Sequence, residues 1–340
     1  MPSSNPRALI AAGSRSGARF DWAATALAAI FTGGVFLDGW AHTHGRVDDT
    51  FFTPWHAVLY AGFLATALLL VGRAAWGVAR YGLAWRRATP AGYGLALVGV
   101  ACWVVGGPFD ALWHDAFGFE ADVEALMSPA HALLALGFGL MASGPLRAAL
   151  QRPPQGAWRE MPMVLSLTFV VSILTFFTQI AHPIPNLWGA RRGPASHALT
   201  ELGIAGSLLS AAILTAPLLL LLRHGRLPVG STAIVVGLNA FAMGFLYDQG
   251  RYPRLVVAAT VVGALALDLL RAVMRPEVSR PRAFRTFACA LPAGLTVAYF
   301  VALAASTGIA WSTHLWVGVS VFAGVVGWLL SYLILPPRLA

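Results

Sequence analysis

An acidic residue, a histidine four positions later, and a second histidine opening the next apolar run recur twice in this chain. The first copy reads Asp38-Gly-Trp-Ala-His42, then Asp49-Thr-Phe-Phe-Thr-Pro54-Trp-His56. The second reads Asp110-Ala-Leu-Trp113-His114, then Ser128-Pro129-Ala-His131. Carboxylate and imidazole are transition-metal donors, and ionisable groups inside apolar segments are costly enough to mark a functional site by default. The residues point to metal chemistry in a membrane. Positions i and i+4 of a helix lie one above the other, with Cβ atoms about 6 Å apart. Asp38 with His42, and Asp110 with His114, can thus each present two donors from one stripe. A proline two residues before His56 and before His131 suits a helix start, where its missing N–H costs nothing. Each second histidine then falls in the first turn of the next helix, beside the end of the preceding one. Imidazole suits copper, zinc or iron, and a carboxylate with two histidines leaves coordination positions open for water, oxygen or substrate. The rival readings are a carboxylate that only orients an imidazole, and histidines that are structural hydrogen-bonders.

The elements that must position these residues follow from composition. The 340 residues are 58% hydrophobic and 11% charged, whereas a soluble domain carries about 25% charged residues. Apolar windows of roughly 20 residues, enough to cross a core of ~30 Å, fall near 21–42, 55–78, 92–114, 129–149, 161–182, 199–222, 229–247, 254–274, 285–306 and 312–335. The expected fold is an all-α polytopic membrane bundle of about ten spanning helices, built in part from repeated hairpins. Residues 1–20 form a polar N-terminal tail, 21–150 the duplicated hairpins, and 151–340 the rest of one bundle. The first 19 residues lack the long apolar core of a cleavable signal, so the first helix is expected to act as the insertion signal.

All 23 basic residues are arginine. With ten helices and the N-terminus inside, Arg73, Arg80, Arg86, Arg87, Arg147, Arg152, Arg159, Arg223, Arg226, Arg275, Arg280, Arg282 and Arg285 fall in cytoplasmic turns. Asp48, Asp49, Asp115, Glu120, Asp122 and Glu124 fall on the opposite side. This is the positive-inside pattern, with both termini cytoplasmic and the histidine motifs at the extracytoplasmic face of the plasma or inner membrane. It accounts for the net charge of +9 without nucleic acid, which would need the arginines gathered on one folded face. Cys102 and Cys289 read as small buried hydrophobes, and Trp40, Trp55, Trp103, Trp113, Trp188, Trp311 and Trp316 as an interfacial belt. Asp268 is expected to pair with Arg271. No nucleotide-binding glycine motif, serine elbow or zincin motif is present.

The repeat continues weakly. His182 ends the fifth window and His197 opens the sixth, so this pair is also a metal-ligand expectation, although Thr178 replaces the acid. A fourth hairpin keeps only Asp248 and Pro253-Arg254. His314 reads as an interfacial helix-start residue and His224 as a loop residue. His44, with Asp48 and Asp49, reads as a solvated loop or an auxiliary site.

At the duplicated motifs the chain resembles the C subunit of the particulate methane and ammonia monooxygenases, the copper-containing membrane monooxygenase family. Asp38, His42, Asp49, Thr50, Phe52, Thr53, Pro54 and His56 occupy that subunit's motif positions, with one extra loop residue. Asp110, His114 and His131 match its second set, one hairpin later. The resemblance covers roughly residues 35–140. It departs where Ala41 precedes His42, and in the long acidic loop from Asp115 to Met127. It implies copper held in the membrane by both sets, and oxygenation chemistry at one of them, here assigned to Asp110, His114 and His131. The expected protein is then an oxidoreductase hydroxylating a small apolar or amine substrate that arrives through the bilayer. Electrons would come from quinol or a partner subunit, in a homo- or hetero-oligomer. The rivals are a copper or divalent-metal carrier or insertion factor, a haem protein with histidine axial ligands, and a metal-stabilised structural or assembly subunit.

Overall fold

The computed structural model describes residues 16–46, 53–118, 122–191, 196–247 and 254–337. Asp48, Asp49, Thr50, Phe52, Glu120, Asp248, Pro253 and most of the N-terminal tail lie outside them, as does the side chain of Asp122. The described residues form helices and one isolated bridge. Eight of the helices are long and apolar enough to cross a bilayer, as expected of an integral membrane protein. Contacts divide the chain into two compact units, residues 1–173 and 174–340, the division falling inside a helix.

Unit 1 holds α1 (Ala18–Thr43), α2 (Pro54–Tyr81), the short α3 (Trp85–Ala88), α4 (Gly94–Phe117), α5 (Asp122–Met127), α6 (Pro129–Ala142), α7 (Gly144–Leu150) and most of α8 (Ala157–Phe177). The window expected at 129–149 is not one straight span. It is the pair α6 and α7, bent by 41°. Pro145 cannot donate the helical hydrogen bond that its position requires. At the break Ser166 Oγ intervenes, accepting from Leu146 N and donating to the Ala142 carbonyl. The Arg147 guanidinium closes the break from the other side, donating to Leu140 O, Ser143 Oγ and Gly92 O. Arg147, read above as a loop charge, is therefore a structural peg.

α1 packs on α2, and α4 on α6, as two antiparallel hairpins whose closest approaches match residue for residue. A Cβ on Gly34 would lie 2.8 Å from Leu59 Cα, and one on Gly106 would lie 2.8 Å from Leu134 Cδ2. Similarly, a Cβ on Gly62 would meet Phe31 Cα at 2.8 Å, and one on Gly137 would meet Trp103 Cδ1 at 2.6 Å. Gly34 and Gly106 each sit four residues before the aspartate; Gly62 and Gly137 each sit six after the second histidine. Small residues at these points let the backbones touch, which in lipid is a main source of helix association. Trp103 is core rather than interfacial: it is 3% exposed, and its Nε1 donates to Leu134 O.

Unit 2 holds the end of α8, α9 (Pro183–Asn186), α10 (His197–Arg223), α11 (Ser231–Phe245), α12 (Arg254–Met274), α13 (Pro281–Ser306) and α14 (Thr313–Ile334). The window at 229–247 forms only the 15 residues of α11. At 1.5 Å per residue that is about 22 Å, short of a full crossing. Its start is capped from a neighbour. Asp268 on α12 accepts from Thr232 N and Ala233 N, while Arg271 pairs with Asp268 and donates to Leu227 O and Pro228 O. The pairing read from sequence is present, and its purpose is to hold the start of α11. Trp188 is also buried, with Nε1 on Ala181 O, and both cysteines are half-buried rather than buried.

Replacing Asp268 with alanine removes the cap of α11 and the partner of Arg271 together. The expected loss is about 2 kcal/mol or more, read as a lower unfolding midpoint of the detergent-solubilised chain. An unchanged midpoint would contradict this role.

Candidate metal centres

Each second histidine is set by a local rule. Thr53 is the N-cap of α2, Pro54 is its first residue, and Thr53 Oγ1 accepts from the His56 backbone N–H at 3.2 Å. Ser128, Pro129 and His131 repeat this at the start of α6, with Ser128 Oγ accepting from His131 N at 3.1 Å. A hydroxyl cap with proline after it thus places histidine at the third helical position in both hairpins. The preceding helices end with Asp38 and His42 on α1, and Asp110 and His114 on α4.

The hairpins bring all six side chains together as two groups, Asp38–His42–His56 and Asp110–His114–His131, each with its donor atoms within 4.8 Å of one another. In the first, Asp38 lies 3.5 Å from His56 Nε2 and 3.8 Å from His42 Nε2. In the second, Asp110 Oδ1 lies 3.2 Å from His131 Nε2 and 3.6 Å from His114 Nε2. Three of these four separations exceed hydrogen-bonding range. They match the roughly 3.3 Å that separates ligands held at 2.0–2.1 Å around one tetrahedral ion. Oδ1 of Asp38 and of Asp110 are buried without any hydrogen-bond partner among the described residues. His114 Nδ1 lies 3.3 Å from Gly118 O, an arrangement that leaves Nε2 facing the carboxylate. The second group is the more enclosed, with Asp110 3% exposed and His114 9% at its side chain, against 36% for His42.

The groups are neighbours. Asp38 interacts electrostatically with His131 and Asp110 as well as with its own histidines, and His42 with His114 and His131. Tyr60, one turn beyond His56, interacts with both carboxylates and packs its ring on Trp103 at 5.8 Å. An aromatic run lies on the second group's helix, Phe109 to Trp113 at 5.8 Å and Trp113 to Phe117 at 4.5 Å.

No protein-family model, curated protein or solved structure matches this chain.

The third pair is placed differently. His182 lies beyond the end of α8 as the N-cap of α9, its Nδ1 accepting from Ile184 N at 3.2 Å. Burial pushes its imidazole down to about 3, so it is neutral throughout the ordinary pH range. Its Nε2 is buried with no partner among the described residues. His197 is exposed as the first residue of α10, because Ser196 caps this helix directly before it and bonds to Leu199 N. The cap-to-histidine register is shifted by two residues from the other hairpins. No group of three donors forms around either histidine among the described residues. His44 stacks on Trp40 and bonds to its carbonyl at 2.8 Å, His224 Nδ1 bonds to Leu220 O, and His314 is exposed near the start of α14.

Sequence reading missed the hydroxyl caps Thr53 and Ser128, the contact glycines and Tyr60. The caps were legible as hydroxyl–Pro–x–His, and the glycines as Gly at −4 from each aspartate and +6 from each second histidine. Tyr60 carries no repeat signal, since its counterpart is Ala135.

Gly62→Val would drive a branched side chain into the Phe31 backbone and push α1 from α2, at a cost of roughly 1–3 kcal/mol. Metal retained at the first group should fall while that at the second persists, as measured by metal content beside His114→Ala. Full retention at both groups would show that this close approach does not set the first group.

Proposed function

We propose that the paired groups bind transition-metal ions, copper foremost, with zinc and iron as alternatives, in a membrane oxidoreductase. One observation carries the reading: a half-buried and a buried carboxylate, each with a buried Oδ1 that has no hydrogen-bond partner among the described residues, lie beside pairs of imidazole nitrogens at separations suited to sharing an ion. Other buried aspartates are compensated differently. Asp21 receives Tyr93 Oη and the Arg152 guanidinium, and Asp268 receives two backbone N–H groups and Arg271. Among the described residues Asp38 and Asp110 have neither an arginine nor a backbone N–H, so a bound cation is the natural complement.

His42, His56, His114 and His131 would hold the ions through Nε2, with Asp38 and Asp110 supplying charge and an oxygen donor. Bound in such sites, copper supplies one-electron chemistry with dioxygen at positions the three side chains leave open. The protein's own part is to fix donor geometry through the caps and contact glycines. At the more enclosed second group it also limits water. Asp110, His114 and His131 are the proposed reaction centre on that ground. The resemblance to the copper membrane monooxygenases supports a small apolar or amine substrate, entering past the aromatic run of α4. Electrons would come from quinol or a partner subunit. The arginine distribution supports cytoplasmic termini and metal groups at the outer face of a plasma or inner membrane.

A second reading has its own observation. His42 is exposed, and the first group is the more open, as a point of metal entry would be. A carrier or insertion factor would use the two groups in succession, from open to enclosed.

Metal analysis with EPR on the purified chain, wild type against His114→Ala, tests these readings. Copper at both groups is expected, with affinity at the second falling at least about a hundredfold in the variant. A copper signal that reacts with oxygen and reductant supports the oxidoreductase; rapid exchange coupled to vesicle uptake supports the carrier. Equal copper content in both proteins would exclude the second group as a ligand set.

A further inference from the structure

A cleft of about 490 Å³ opens in unit 2 between the start of α13 and the end of α14, lined by Arg282, Arg285, Thr286, Cys289, Trp328 and Tyr332. Its closed end is set by contact glycines. A Cβ on Gly327 would meet Pro292 Cγ at 2.7 Å, and one on Gly324 would meet Cys289 Sγ at 3.0 Å, so the helices touch there. One turn further along α14 the bulky Trp328 and Tyr332 replace glycine and the helices part. These rings meet edge to face at 5.0 Å, and the Arg285 guanidinium lies 4.0 Å over Tyr332.

Neither arginine has a carboxylate partner among the described residues, in contrast to Arg271, which has Asp268. Arg285 makes a single long contact, 3.5 Å to Leu335 O, and its Nε is buried without a partner. A guanidinium stacked on an aromatic face retains N–H groups that can fork onto an oxyanion. Arg282 stands one turn away, and the first-turn N–H groups of α13 favour an anion at the same end. Next to the cleft-lining Trp328 and Tyr332 in sequence, Leu329 and Leu333 give α14 an exposed apolar face, 54% and 77% exposed.

We propose that this cleft binds the phosphate headgroup of an anionic glycerophospholipid, with an acyl chain lying along the Leu329 and Leu333 face. Two unpaired guanidiniums select negative charge. The aromatic pair suits the headgroup level of a bilayer. The adjoining apolar wall favours lipid over free phosphate, which has no use for it. The site is independent of the metal reading.

Native mass spectrometry of the full-length chain tests this, with phosphatidylglycerol, phosphatidylcholine or inorganic phosphate added. The wild type should retain phosphatidylglycerol over phosphatidylcholine by roughly tenfold or more, and that preference should collapse in Arg282→Gln/Arg285→Gln. If the double variant does not fold, the exposed Arg282→Gln alone should lower retention by roughly fivefold. Millimolar inorganic phosphate should not displace the lipid. Equal retention of the two lipids, a preference unchanged in the variants, or displacement by phosphate would each overturn the proposal.

Discussion

A carboxylate taken out of water among apolar helices costs several kcal/mol unless a positive charge or hydrogen-bond donors replace its hydration. This chain meets that constraint in more than one way. Asp21 is 0% exposed and held by a tyrosine hydroxyl and an arginine. Asp268 is turned to the start of a neighbouring helix and backed by Arg271. Asp38 and Asp110 have imidazoles as their nearest cationic-type neighbours among the described residues, most of them set slightly beyond direct bonding distance. An arrangement that leaves a buried carboxylate oxygen without a hydrogen bond among the described residues, with imidazole nitrogens spaced around it, suits a cation between them.

The geometry depends on two devices outside the ligand set. Glycines at matching positions let each pair of helices approach until the end of one lies beside the start of the next. A hydroxyl cap followed by proline then fixes the rotation of the second helix, so that its third residue faces the aspartate. Where the cap is shifted, no group of three donors gathers among the described residues. In the third hairpin the cap lies directly before His197, which turns that residue to the surface, and the aspartate position is Thr178.

Much of this was legible in the chain. Every apolar window appears as helix, and the duplicated trio converges as its spacing required. Two spans differ because local chemistry overrides hydropathy. Pro145 breaks the window at 129–149, and α11 fills only Ser231–Phe245 of the window at 229–247, with Asp268 accepting from its first N–H groups. Arg147 and Trp103 read as loop and interface because type and position suggest it. Only tertiary contact shows one pinning a broken helix and the other filling a core. The third histidine pair is placed differently because spacing from a cap, rather than the presence of histidine, decides where a side chain points.

Copper K-edge X-ray absorption on the metal-loaded chain is the decisive measurement for the paired groups. Two imidazoles and an oxygen donor are expected at about 2.0 Å around each ion, with imidazole scattering reduced in a variant lacking His56 and His131. Scattering without imidazole, or unchanged in that variant, would contradict this coordination.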